Sequence, residues 1–227
     1  MLRLQNKRLI ISPPVVVYDF IQWIFFPVNY VLGLLCYLQP QHSIWNDEGF
    51  ENKDVTGSGI ELDELREQIL SKTNHIHTEA DIVRLFDSLP TADANTDMIN
   101  RIWEGKILRT NRSALDFAYY TIHLPLKLLG FQWGKRYCTA KKGDPLYLRW
   151  LNRVYLPLPI WGNVAMMDIR WRGETTATMN YDHQPWRDYF RVLHQEDGKV
   201  VMLGVWTHKH IAGGWFTLTL DQNVSAT

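Results

Sequence analysis

The chain has 227 residues, with 24 Lys plus Arg against 24 Asp plus Glu, so its formal net charge is zero. That length suits one substantial domain with an appendage, or two small domains. The charge balance argues against a nucleic-acid partner, which draws a basic excess or stripe. Two cysteines, Cys36 and Cys138, cannot build a disulfide framework or a Cys-based zinc site, and two free thiols in a reducing, intracellular compartment is the plain reading. Ten Trp, ten Tyr and nine Phe suit a β-rich core or an aromatic-lined pocket.

Residues 1–14 carry Arg3, Lys7 and Arg8 ahead of an apolar run, and no charge occurs from Phe20 to Leu38. That run approaches the roughly 20 residues of a membrane span. Asp19 and Gln22 at its start, Pro27 within it and Asn29 just after weigh against a span. Trp23 and Tyr37 near its ends fit an interfacial or anchoring segment that gives membrane association. The competing reading is a bent helix or helix pair packed on the main domain or on a partner. No small-x-small cleavage site follows, so a removed signal peptide is not expected.

A polar, turn-rich linker covers 39–57, and Leu62, Leu65, Ile69 and Leu70 then mark a short amphipathic helix. Thr78-Glu79-Ala80-Asp81 opens a second helix with a capping-box-like start, and Leu89-Pro90 ends it. These features divide the chain into an apolar segment at 1–40, a linker with a short helix at 41–75, and a β domain at 76–227.

From Trp103 onward, short β-like runs are separated by Gly, Pro and Asn. Candidate strands are Trp103–Leu108, Gln132–Cys138, Leu146–Leu151, Val164–Trp171, Thr175–Tyr181, Trp186–Leu193, Val200–Thr207 and Trp215–Leu220. One helix, about Ser113 to Leu128, interrupts them. Such a series implies a mainly β fold: an antiparallel barrel or strongly curved sheet with one inserted helix.

The stretch Trp171–Val192 carries the sharpest local signal. With a period of two, Ala177, Met179 and Tyr181 share one face of a strand, and Trp186, Asp188, Phe190 and Val192 share one face of the next. Asp182-His183-Gln184-Pro185 between them is turn chemistry. With His183-Gln184 as the loop, Tyr181 faces Trp186 and Met179 faces Asp188, which sets a carboxylate among large apolar side chains.

The strings RLFDSLP, RIWEGK, SALDF, FQWGKRY and RWRGETTATMNYDHQPWRDYFR occur in that order between Arg84 and Arg191. In this order they resemble the GXWXG-domain family together with the uncharacterised domain that commonly follows it, over roughly Arg84 to Leu220. The resemblance implies a lipocalin-like fold and no agreed reaction. Arg101 stands where the first glycine of the name motif belongs, while Trp103 and Gly105 are retained. The family's Gly-His-Pro-Leu-Asp string is matched here only by Leu115 and Asp116. Asp116 then either closes a pocket opposite Asp188 or bonds backbone amides near the first turn of its helix.

Among chemical candidates, Asp188 ranks first. Burial should raise its pKa unless a cation stabilises the anion, and Arg136, Arg170, Arg172 and Arg187 are candidate partners. Tyr181 offers an apolar body with a polar tip. Trp133, Lys135 and Tyr137 alternate onto one face, where the cation either snorkels at a pocket mouth or makes a cation–π contact. His208 and His210 have a spacing that can ligate metal, but no third ligand is evident, so no metal is expected. His123 and His183 are candidate acid–base groups by residue type, and nothing in their spacing singles them out. No nucleophile elbow, phosphate loop or dinucleotide fingerprint occurs, and no cofactor is expected.

The reading is a barrel that binds a hydrophobic small molecule such as a lipid, terpenoid or polyketide-like compound. Trp133, Lys135, Tyr137, Arg172, Met179, Trp186 and Phe190 contact the ligand in this reading. The alternative is a cofactor-free isomerase, cyclase or pericyclase in the same cavity, with Asp188, Tyr181 and Asp116 as catalytic groups. A third is a protein-interaction module that docks through the N-terminal segment.

Overall fold

A computed structural model describes residues 2–5, 8–11, 58–71, 75–110, 124–151, 154–158, 161–196, 198–208 and 211–225. The apolar run 20–38, Cys36, Asp116, His123 and His210 lie outside these residues. No helix among the described residues is long and apolar enough to cross a membrane.

Two helices form where their sequence signals fall. In α1 (Leu62–Leu70) the spacing of Leu65 and Ile69 puts both on the buried side. In α2 (Glu79–Ser88) the Thr78 hydroxyl accepts the Asp81 N–H as an N-cap, and the helix stops before Leu89-Pro90. A π-helical turn at Ala94–Met98 follows, with Asp93 capping Asn95 and Thr96. A third helix, α3 (Leu124–Leu128), falls in the last part of the span expected to be helical, whose earlier residues lie outside those described.

The strands are β1 (Leu2–Gln5), β2 (Arg8–Ile11), β3 (Ile76–His77), β4 (Arg101–Ile107) and β5 (Arg109–Thr110). They continue as β6 (Phe131–Thr139), β7 (Lys142–Trp150), β8 (Val154–Pro157) and β9 (Val164–Trp171). The last four are β10 (Glu174–Tyr181), β11 (Trp186–Glu196), β12 (Lys199–His208) and β13 (Ile211–Ser225). The main sheet runs β1-β2-β8-β7-β6-β4-β13-β12-β11-β10-β9. From β8 to β9 every pairing is antiparallel, and β2 joins β8 in parallel.

The antiparallel part curls into a half-barrel, the mainly β, lipocalin-like architecture expected. Its far edge strand, β9, returns toward the β6–β7 turn. The Met166 N–H donates to the Ala140 carbonyl at 2.8 Å, and the Asn163 side chain links the Gly143 N–H to the Lys141 carbonyl. The β9–β10 turn is tight because Arg172 and Gly173 both take positive φ, 50° and 81°, the conformation a two-residue hairpin loop demands.

Each face of the sheet has its own core. On the convex face, α1 and α2 lay Leu65, Ile69, Ile82 and Phe86 over Tyr189, Leu203, Val205 and Trp215. The Phe86 ring meets Trp215 edge-on at 5.5 Å, and Trp171 stacks on Tyr189 at 4.1 Å. On the concave face lie Trp103, Tyr137, Met166, Met179, Tyr181, Trp186, Phe190, Met202 and Phe216.

The floor of the half-barrel is made by Pro90–Met98. This segment is spliced between β10 and β11, whose direct pairing is confined to Thr178–Asn180 against Arg187–Tyr189. Beyond that, the Ala177 N–H donates to the Ala92 carbonyl, the Val192 N–H to the Pro90 carbonyl, and Thr91 bridges Arg191. The Thr176 hydroxyl fills the remaining gap by donating to the Phe190 carbonyl. Ala92, Ala94 and Met98 thereby close the concave core from below.

Candidate functional site

The β10–β11 hairpin has the register read from the sequence: Met179 lies opposite Asp188. Tyr181 and Trp186 pack ring to ring at 5.8 Å. Asp188 is fully buried on the concave face.

Its partner is Lys135 of β6, not one of the four arginines the sequence offered. The Lys135 Nζ lies 2.8 Å from Asp188 Oδ2, and both side chains are almost wholly buried. Arg136 is committed to Asp144 and Arg187 to the Asn180 amide oxygen. Three strands separate β6 from β11 in the sheet. In a flat sheet they would stand about 19 Å apart. The curl of the half-barrel and the length of the lysine bring them together.

Tyr181 completes the group. Its hydroxyl donates to Asp188 Oδ2 at 3.0 Å and accepts from Lys135 Nζ at 3.0 Å. Lys135 also donates to the Pro145 carbonyl at 3.1 Å. All three ammonium protons are therefore used, an arrangement that fits a charged lysine, an ionised aspartate and a neutral tyrosine. Burial raises the Asp188 pKa, and Lys135 opposes that shift through its charge and its hydrogen bond. Burial also carries the Tyr181 hydroxyl well above its ordinary range, and the Asp188 charge adds to the effect. Lys135 further sits 5.4 Å from the ring centres of Tyr181 and Phe216. Lys135 is thus buried and makes cation–π contacts with rings of other strands, not with Trp133 and Tyr137 of its own strand face.

Asp188 Oδ1, Tyr137 Oη and Trp133 Nε1 are buried, and none of them has a hydrogen-bond partner among the described residues. Aromatic rings surround them. Tyr137 meets Phe190 at 6.5 Å, Phe190 meets Phe216 at 6.0 Å, and Trp133 meets Phe216 at 6.0 Å. Toward the β10–β11 turn, Trp161 and Trp206 flank Trp186 at 5.4 and 5.6 Å. Gly105 allows this packing, since a Cβ there would overlap the six-membered ring of Trp133.

Of the expected site residues, Trp133, Lys135, Tyr137, Met179, Tyr181, Trp186, Phe190 and Asp188 converge on the concave face. Arg172 does not join them. It occupies the β9–β10 turn and holds Asp87 with two hydrogen bonds, so it anchors the turn to α2. Asp116 lies outside the described residues. Trp161, Met166, Met202, Trp206 and Phe216 also enclose the site, and the sequence reading did not select them. For Met202 and Phe216 the signal was available, because both fall on inward positions of strands whose spans were legible. Trp161 sits in a loop, where periodicity gives no guide.

Elsewhere, Arg149 joins Glu104 and Asp221 on the convex face, where Tyr155 also donates to Asp221. A small crevice on that side is lined by Ile102, Arg136, Asp144, Tyr147, Tyr155 and Pro157. Among the described residues, no group of three His, Cys, Asp or Glu side chains is placed to hold a metal ion. The Cys138 thiol is free, and burial raises its pKa.

Fold and site together define a curled antiparallel half-barrel with a buried Lys–Asp–Tyr group on its concave face. Residues 162–220, from the residue after Trp161 into β13, match a family described as a domain of unknown function (DUF4334). The chain is also similar to a protein from Thermomonospora curvata known from a crystal structure. The two share 19% identity with a TM-score of 0.55, over 72% of this chain and 100% of the other. That likeness concerns the fold. No curated protein matches the chain.

Proposed function

We propose that the half-barrel binds an apolar small molecule on its concave face, with Asp188 as the polar anchor. The observation that carries this reading is the Asp188 carboxylate. Lys135 and Tyr181 fix one oxygen, and the other is buried among aromatic rings with no partner. Buried polar atoms are almost always bonded in native proteins, so an unpartnered carboxylate oxygen asks for a donor.

The concave face is filled by its own side chains, and a ligand must displace some of them. Met98, Met166, Met179 and Met202, four of the six methionines, are buried in this core. Methionine is unbranched and repacks more readily than leucine or isoleucine, which supports a core able to open around a guest. The GXWXG likeness belongs to the proposal too, supported by the close fit of Gly105 under the Trp133 ring and the burial of Trp103 in the concave core.

Native mass spectrometry of the purified chain tests the reading. A co-purifying lipid, terpenoid or polyketide-like compound is expected. A barrel that carries no small molecule and is indifferent to added apolar ligands would refute it.

A second reading rests on the raised pKa of Asp188 beside a neutral Tyr181 hydroxyl. These are an acid–base pair of the kind a cofactor-free isomerase or cyclase uses. Under that reading, Asp188→Asn abolishes turnover of a hydrophobic biosynthetic intermediate while leaving binding intact. Loss of binding together with turnover would favour the anchor role alone.

A further inference from the structure

Two of the unpartnered atoms on the concave face are donors, and the third is an acceptor. Trp133 Nε1 and Tyr137 Oη come from β6, while Asp188 Oδ1 comes from β11. Tyr137 and Asp188 are fully buried. They also sense each other, because the Asp188 charge helps to raise the Tyr137 hydroxyl pKa after burial itself. Between them Lys135 has all three of its N–H bonds taken by Asp188, Tyr181 and Pro145. A charged ligand is poorly matched to this arrangement. An anion would meet an unpartnered carboxylate oxygen and a lysine with no proton to spare, and a cation would compete with Lys135 for the same carboxylate.

We propose that the ligand is neutral and carries a hydrogen-bond donor and a carbonyl-type acceptor on one apolar body, as in a hydroxyketone. Its hydroxyl donates to Asp188 Oδ1, and its carbonyl accepts from Trp133 Nε1 or Tyr137 Oη. This inference rests on the small-molecule binding proposed above. It goes beyond it by fixing which functional groups the site selects. A site with buried polar atoms rejects an analogue that leaves them unpaired far more strongly than an apolar pocket rejects a change of size.

The test titrates the full chain, by tryptophan fluorescence, with 2-hydroxycyclododecanone, its methyl ether and cyclododecanone. The hydroxyketone should bind about 10- to 100-fold more tightly than either analogue, the range expected for hydrogen bonds to a charged group. Its advantage over the ether should vanish in Asp188→Asn. Trp133→Phe and Tyr137→Phe provide a control should that variant not fold, because neither removes a hydrogen bond within the protein. Together they should weaken the hydroxyketone at least about tenfold while circular dichroism stays unchanged. Equal affinity for all three probes would overturn the inference and leave the binding reading standing. Affinity for the hydroxyketone unchanged in the Trp133→Phe, Tyr137→Phe double variant would overturn it as well. No binding of any probe up to about 1 mM would overturn both.

Discussion

Replacing Lys135 with methionine isolates the energetics of the buried group. The substitution keeps the apolar stem and removes the ammonium that lies 2.8 Å from Asp188 Oδ2. Asp188 would then hold a charge at full burial with only the Tyr181 hydroxyl to stabilise it. Breaking a buried pair from one side costs about 3–5 kcal/mol. For a chain of this size each kcal/mol is worth about 2–4 °C, so Lys135→Met should lower the melting temperature by about 6–20 °C. The loss should depend on pH. Burial already raises the Asp188 pKa, and Lys135 is the largest influence opposing it. Without Lys135 the carboxyl takes up a proton in the folded state at a pH where the unfolded chain, with a pKa of about 3.9, has lost it. The stabilising contribution of the protonated form is complete below that unfolded value and disappears as pH rises through the folded one. Calorimetry from about pH 4 to pH 8 should therefore find the variant closest to wild type at the acid end. Adding Asp188→Leu should restore most of the loss, since an apolar replacement of both partners leaves no buried charge. A melting temperature within about 1 °C of wild type at pH 8, or a double variant no better than the single, would refute the assignment of a buried ion pair.

Other expectations follow from the same packing. Tyr137→Phe removes a buried hydroxyl without a partner and should stabilise the unliganded chain by about 1 kcal/mol in urea titration; a loss of similar size would show that the hydroxyl is bonded. Gly105→Ala drives a methyl group into the Trp133 ring and should cost at least about 1–3 kcal/mol, read as a lower denaturation midpoint. Arg149→Met removes the guanidinium that pairs with the buried Asp221 at 2.9 Å and should cost about 3 kcal/mol, measured the same way. Arg172→Asn tolerates the positive φ of its turn and gives up a partly exposed pair with Asp87, so stability should change by less than about 1 kcal/mol and ligand binding should not change.

The site was legible in the sequence where its geometry is local. The Met179–Asp188 pairing follows from two period-two runs and a turn of known chemistry, and the structure has that register. The Trp133–Lys135–Tyr137 face was legible for the same reason. The identity of Asp188's partner was not, because Lys135 approaches it only through the curl of a sheet that separates the two by three strands. Neighbouring arginines in sequence were the wrong place to look, since alternation and turns send them elsewhere. Arg172-Gly173 carried a readable hairpin-turn signal, and with it Arg172 belongs to the turn rather than to the concave face. The short strands β1, β2 and β8 offered too few residues for any period to emerge.

The splice of Pro90–Ala92 between β10 and β11 has a consequence for how the chain assembles. A hairpin normally zips from its turn by local contacts within microseconds. Here it can zip only as far as Thr178 and Tyr189, after which each strand must find a segment more than eighty residues earlier in the chain. The ladder therefore finishes only after α2 has docked and delivered that segment. Closing so long a loop places this step among the slow, non-local events of folding. The floor of the half-barrel thus acts as a timing element: completion of the β10–β11 ladder, and with it closure of the concave core, is tied to the docking of α2.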